Sequence, residues 1–153
     1  ERTPYNEPKA RGVYFGLNAV HEQPHIIRAT MEGILFNLKE CLYILDEMSV
    51  EKTKMIASGG AARGVTWKQI QADMMDMPVY STNVREEACH GAAILAAVGV
   101  GIYKNIEEAC NSTITMNDTI VEPICENVKI YQEKQQIFHE LFFRIRDLYP
   151  RII

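Results

Sequence analysis

The sequence predicts an α/β domain in which helices outweigh strands. Three observations carry this reading. Short apolar runs suited to strands alternate with longer segments of helical periodicity. One run, Met55-Ile56-Ala57, ends in Ser58-Gly59-Gly60, and a helical pattern opens near Val65 with Trp67, Ile70 and Met74 at helical spacing. Only about three strands are visible, few for a complete sheet.

Taken in order, residues 1–11 are polar with two prolines and should form an extended arm or loop. Gly12 to Leu17 reads as a short strand closed by Gly16. A long helix should follow from Pro24, which suits a first turn because its missing N–H costs nothing there. Ile27, Met31, Ile34, Leu35, Leu38, Leu42, Leu45 and Met48 then repeat at helical spacing, one apolar face about six turns long. Gly33 sits mid-helix at a cost of about 1 kcal/mol against alanine, which close packing would explain. After the glycine turn and its helix, Pro78 to Ser81 is a strand. Glu86 to Val98 is a helix of small residues, with Gly91 allowing close approach of a neighbour and Gly99 and Gly101 ending it. Asn105 to Glu108 has capping-box spacing and should start a short helix. Asp118 to Glu122 is read as extended, ended by Pro123. Asn127 is expected to cap a final helix carrying Val128, Tyr131, Phe138, Leu141, Phe142, Ile145 and Leu148.

At 153 residues the chain has the length of a single domain, or of part of one. The formal charge of -4 is spread over mixed signs, with no basic stripe that would suit nucleic acid. No apolar run approaches the roughly 20 residues of a membrane span. Cys41, Cys89, Cys110 and Cys125 are far apart and lack metal-ligand spacing, so they read as buried free thiols of a cytoplasmic protein. The first residue is Glu1, which suggests a processed or excised fragment.

Several residues carry possible chemistry. A strand, a glycine turn and a helix suit a phosphorylated ligand, because glycine lets the backbone approach closely and a helix N-terminus offers unpaired amides. A glycine pair in such a place is more often only a turn. His21-Glu-Gln-Pro-His25 matches the zinc-protease pattern H-E-x-x-H, but Pro24 denies a helix running through both histidines. Glu86 and Glu87 read as first-turn acids rather than an acid/base pair. Arg63 could meet a phosphate or simply face water. Trp67 reads as a core anchor. His90 and His139 are isolated.

Four ordered segments together resemble one family. Gly12 to Glu32, with GVYFGL and then HIIRATME, looks like the C-terminal signature of the FGGY carbohydrate kinases. The preceding ERTPYNEPKARG resembles the family's GERxPYWxPxARG, with Asn6 where tryptophan is usual. ASGGAARGVTWKQIQAD resembles GGGAxSxxWxQxxAD, and REEACHGAAILAAVGVGIY resembles ExxALGAAxLAxxGxGxY. The resemblance implies a ribonuclease-H-like C-terminal domain of the actin and Hsp70 type, helix-rich and incomplete at its N-terminus, with residues 1–153 forming the C-terminal portion of a nucleotide-binding domain. It implies phosphoryl transfer from ATP, with Mg²⁺, to a sugar or sugar-acid hydroxyl. The stretch from His21 to Leu38 is most similar to gluconate kinases, with xylulose and glycerol kinases next. By the same resemblance Gly59, Gly60, Ala61 and Gly64 line the adenosine side of the cleft, although Gly64 lacks the polar side chain its relatives carry. Glu86 matches the family's glutamate. No catalytic residue and no metal ligand is assigned within the chain, because the aspartate base, the sugar site and the other phosphate motif belong to an N-terminal domain. The chain alone should then be inactive. An exposed sheet edge would favour a homodimer. Two rivals are a non-catalytic, actin-like nucleotide-binding regulator and a zinc hydrolase using His21 and His25.

Overall fold

A computed structural model describes residues 3–152. They pack as two compact units, one of Glu1–Lys52, Asp73–Asp76 and Pro123–Ile153, the other of Thr53–Ala72 and Met77–Glu122. Helices dominate both.

The first unit is built on two long helices. Helix α1, Gln23–Glu47, starts with proline in its first turn, as its sequence predicts. It ends where Ser49 takes φ +57° and the Ser49 and Val50 amides donate to Asp46 and Leu45 carbonyls, each at 2.9 Å. These bonds satisfy carbonyls that the helix end would leave open. The apolar face of α1 is only partly covered by the described residues. Leu35 and Phe36 are buried, whereas Ile27 and Ile34 remain 55% and 56% exposed.

The last helix of this unit, Cys125–Ile145 (α5 in chain order), packs on α1 through aromatic rings. Phe36 stacks on Phe138 at 5.3 Å, and Tyr131 meets Phe36 edge-on at 6.0 Å. The first unit also buries polar groups that periodicity did not flag, namely Lys39 and Glu40 on α1 and Gln135 on α5. Glu40 accepts from the Tyr5 hydroxyl and from Gln135 Nε2, and lies 2.8 Å from His139 Nδ1. Lys39 Nζ donates to the Met74 carbonyl. Burial holds the Lys39 ammonium below its usual range, against the raising influence of Asp76. Tyr131 donates to Glu32 at 2.8 Å and accepts from Arg28 at 2.7 Å. Burial, with Arg28 opposing and Glu32 reinforcing it, pushes the phenol up to about 12.

The second unit holds the parallel sheet. Strand β1, Met55–Ala57, pairs with β2, Val79–Ser81, with Met55 opposite Val79 and Ala57 opposite Ser81. The crossover between them carries α2, Val65–Met75, as parallel strands require. Ala57, Ala72 and Val79 form the core here, with Met55 and Val121 packed against them. Helices α3, Glu87–Gly99, and α4, Ile106–Thr113, pack on each other. Helix α3 ends as its glycines predict: Gly101 takes φ +79°, its amide donates to the Val98 carbonyl, and the Ile102 amide reaches Ala97 at 2.8 Å. Helix α4 opens with Asn105 Oδ1 accepting from the Glu108 amide at 2.8 Å. Glu108 returns a bond to the Lys104 amide at 2.7 Å, one residue before the expected partner.

Several expectations are corrected. Gly12 to Leu17 forms no strand. A strand needs a neighbour for its ladder bonds, none lies alongside among the described residues, and Gly16 turns the chain at φ +84°. Asp118 to Glu122, by contrast, meets the sheet as an extended segment would, through one antiparallel bridge of Val121 with Val79. Asn127 does not cap α5. Asp73 does so from a distant stretch, accepting from the Ile124 amide and from Asn127 Nδ2, each at 2.8 Å. Among the described residues Gly33 and Gly91 are not sites of close packing, since a Cβ at either would meet nothing within 4 Å. The four thiols are free, yet none is buried; Cys89 and Cys125 are exposed.

Candidate functional site

The site is built at the carboxyl ends of the two parallel strands. Leaving β1, the chain passes Ser58 to Gly59, whose φ of +77° only glycine adopts without strain. One 3₁₀ turn, Gly60–Arg63, then leads through Gly64 into α2. Leaving β2, the chain runs from Thr82 to Glu86 and enters α3. Between these two strand-to-helix turns lies a cleft of about 430 Å³. Ala57, Gly59, Arg63, Lys68, Arg85 and Asn117 are among its walls. Crevices beyond the carboxyl ends of parallel strands are where α/β folds bind ligands.

The wall on the β2 side is pinned by asparagines. Asn117 donates from its backbone to the Ser81 carbonyl at 2.8 Å, and from its side chain to Ser81 Oγ at 3.0 Å and the Thr82 carbonyl at 2.9 Å. Asn83 Oδ1 accepts from the Thr115 amide at 2.8 Å. Arg63, Lys68 and Arg85 bring positive charge to the lining, and Glu87 brings negative charge.

Glu87 is the residue that sequence reasoning missed. It stands in the first turn of α3, as expected, but its Oε1 also accepts from the Gly59 amide at 2.7 Å. That amide, then Glu87's own amide and the nearby Arg63 charge, hold its carboxyl below the usual carboxylate range. Nearby, Arg63 donates to the Arg85 carbonyl at 3.2 Å and lies 3.6 Å from Glu86. Both partners of this ion pair are mostly exposed, so it contributes little.

Of the four glycine-turn residues that the sequence singled out, Gly59 lines the cleft. Gly60 opens the 3₁₀ turn, and among the described residues a Cβ there would meet nothing within 4 Å. Ala61 belongs to the same turn by its backbone, and its side chain lies outside the described residues. Gly64 precedes α2, where its carbonyl accepts from the Lys68 amide at 3.1 Å. Trp67 is half-buried. His21 lies before α1 and His25 within its first turn, so no helix runs through both, as Pro24 predicts. Their rings meet edge-on at 5.4 Å, and each Nδ1 accepts a backbone amide at 3.0 Å, from Asn18 and Glu22 respectively. Among the described residues no group of three His, Cys, Asp or Glu side chains could hold a metal ion, and no helix is long and apolar enough to cross a membrane.

Known proteins share this fold. Xylulose kinase from Lactobacillus acidophilus superposes with a TM-score of 0.86 at 24% identity, over 99% of this chain and 31% of that one. That likeness places the chain in the ribonuclease-H-like fold of actin and Hsp70. Residues 1–100 match the C-terminal domain of the FGGY family of carbohydrate kinases. Xylulose kinase from Bacillus subtilis is 31% identical over 97% of this chain and 30% of its own length. Gluconokinase from the same organism is 31% identical over 99% of this chain and 29% of its own. The chain belongs to the FGGY family of carbohydrate kinases. It spans just under a third of the length of these relatives.

Proposed function

We propose that, within a full-length protein, this chain forms the adenosine side of a cleft in which the γ-phosphoryl group of ATP passes to a sugar hydroxyl. The observation that carries the reading is the glycine turn itself. Gly59 is left-handed, and Gly60 has open space where a side chain would stand. Backbone can therefore approach a ligand here, and Arg63, Lys68 and Arg85 suit an anionic one. Gly59, Gly60, Ala61 and Gly64 are the nucleotide-facing residues in this reading. Phosphoryl transfer depends on positioning and charge neutralisation, which Mg²⁺ supplies when it arrives with the nucleotide phosphates. No catalytic base is assigned to this chain, and closure against the rest of the protein would exclude water.

The His21 to Leu38 stretch favours gluconate as acceptor, and the xylulose kinases among the relatives favour xylulose as the second reading. Purified full-length protein assayed with ATP and either acceptor separates them. Turnover of neither would support the non-catalytic, nucleotide-binding alternative. The same assay tests the site. Gly60→Val should raise the ATP KM about tenfold or more through steric exclusion, a loss near 1.4 kcal/mol. The sugar KM should stay near its original value. Among the described residues a Cβ at Gly60 meets nothing within 4 Å, so the fold should tolerate a side chain there. An unchanged ATP KM would remove the nucleotide from this turn.

A further inference from the structure

We propose that Glu87 is a positioning residue for the glycine turn, holding Gly59 in its left-handed conformation so that the following residues meet the nucleotide in register. This rests on the reading of the turn as the nucleotide site. The two groups are 28 positions apart and belong to different strand-to-helix turns, yet Glu87 Oε1 and the Gly59 amide are 2.7 Å apart. The distance is that of a charge-assisted hydrogen bond. A second link joins the same two turns, since Arg63, at the far end of the 3₁₀ turn, donates to the Arg85 carbonyl at 3.2 Å. Residues 85–87 therefore grip the segment 59–63 at both ends. A Cβ at Gly59 would find open space, so packing around that position does not hold the turn in shape. The bond from Glu87 restrains it directly. The carboxyl is held ionised by the amide it accepts from and by Arg63, so the grip persists at neutral pH.

The test uses the full-length protein with Glu87→Ala and Glu87→Gln. Glutamine keeps an acceptor oxygen for the Gly59 amide and removes the charge. Glu87→Ala should raise the ATP KM about fivefold, the scale of one lost hydrogen bond, with kcat and sugar KM near their original values. Glu87→Gln should restore most of that loss. Three results would overturn the proposal. One is an unchanged ATP KM in Glu87→Ala. Another is equal impairment in both variants, which would make the charge and not the acceptor the active feature. The third is a lower ATP KM in Glu87→Ala, which would mean that the carboxylate competes with phosphate for the amide. Gly60→Val, measured alongside, separates the two levels. If it weakens ATP and Glu87→Ala does not, the glycine turn remains the site and only the role of Glu87 fails. If neither variant matters, the site itself fails.

Discussion

Along α1 and α5 the first unit buries Lys39, Glu40 and Gln135, whereas the second unit centres on Ala57, Ala72 and Val79. The first is specified by polar groups that must find particular partners in the interior. The second is specified mainly by small apolar residues that let a strand pair and a helix approach closely; its one buried polar side chain among the described residues is Gln71, which reaches the Met55 sulfur. A carboxylate buried with several donors tolerates few rearrangements, because each donor would be left unpaired. A small aliphatic cluster tolerates more, limited by volume alone.

Substitutions in each unit can break or sharpen this contrast. The largest effect is expected for Glu40→Ala. The Glu40 side chain is only 3% exposed and serves Tyr5, Gln135 and His139. Removing it should lower stability by about 3 kcal/mol. Hydrogen exchange on the full-length protein should show the loss at amides of α1 and α5. If those amides keep their protection, the polar network is not what specifies the first unit. Val79→Ala comes next, at about 2 kcal/mol for two buried carbons and the space they leave. Faster exchange should appear at β1 and β2. A loss exceeding that of Glu40→Ala would reverse the comparison. The smallest effect is a gain. Gly33→Ala should stabilise α1 by about 1 kcal/mol, since the added methyl meets nothing within 4 Å. Slower exchange through the middle of α1 would confirm it, and destabilisation would point to a partner covering that position.

How much of this was legible in the sequence follows from the range of each interaction. The start of α1, the cap of α4, the left-handed end of α3 and the strand–turn–helix around Gly59 all rest on residues a few positions apart, and each is where its local pattern places it. Glu87 with Gly59, Asp73 with Ile124 and Glu40 with Gln135 join residues 28, 51 and 95 positions apart. No local spacing announces such pairs. The reading of Asn127 as a cap shows the cost: its residue type was right for a helix start, but a carboxylate from a distant stretch took the donor. The strand expected at Gly12 to Leu17 fails for a related reason, since strand propensity is realised only beside a partner. At the candidate site the glycines were legible because their backbone demands are intrinsic. The residues that hold them were not, because holding is a tertiary property.

The two neighbouring glycines of that turn answer to different constraints. At Gly59 the backbone angle of +77° penalises any side chain, whatever binds nearby. At Gly60 the fold imposes no such penalty, and the space beyond its Cα is open. If the turn meets a nucleotide as proposed, a descendant of this chain that gave up that ligand would have to keep the first glycine and would be free to lose the second.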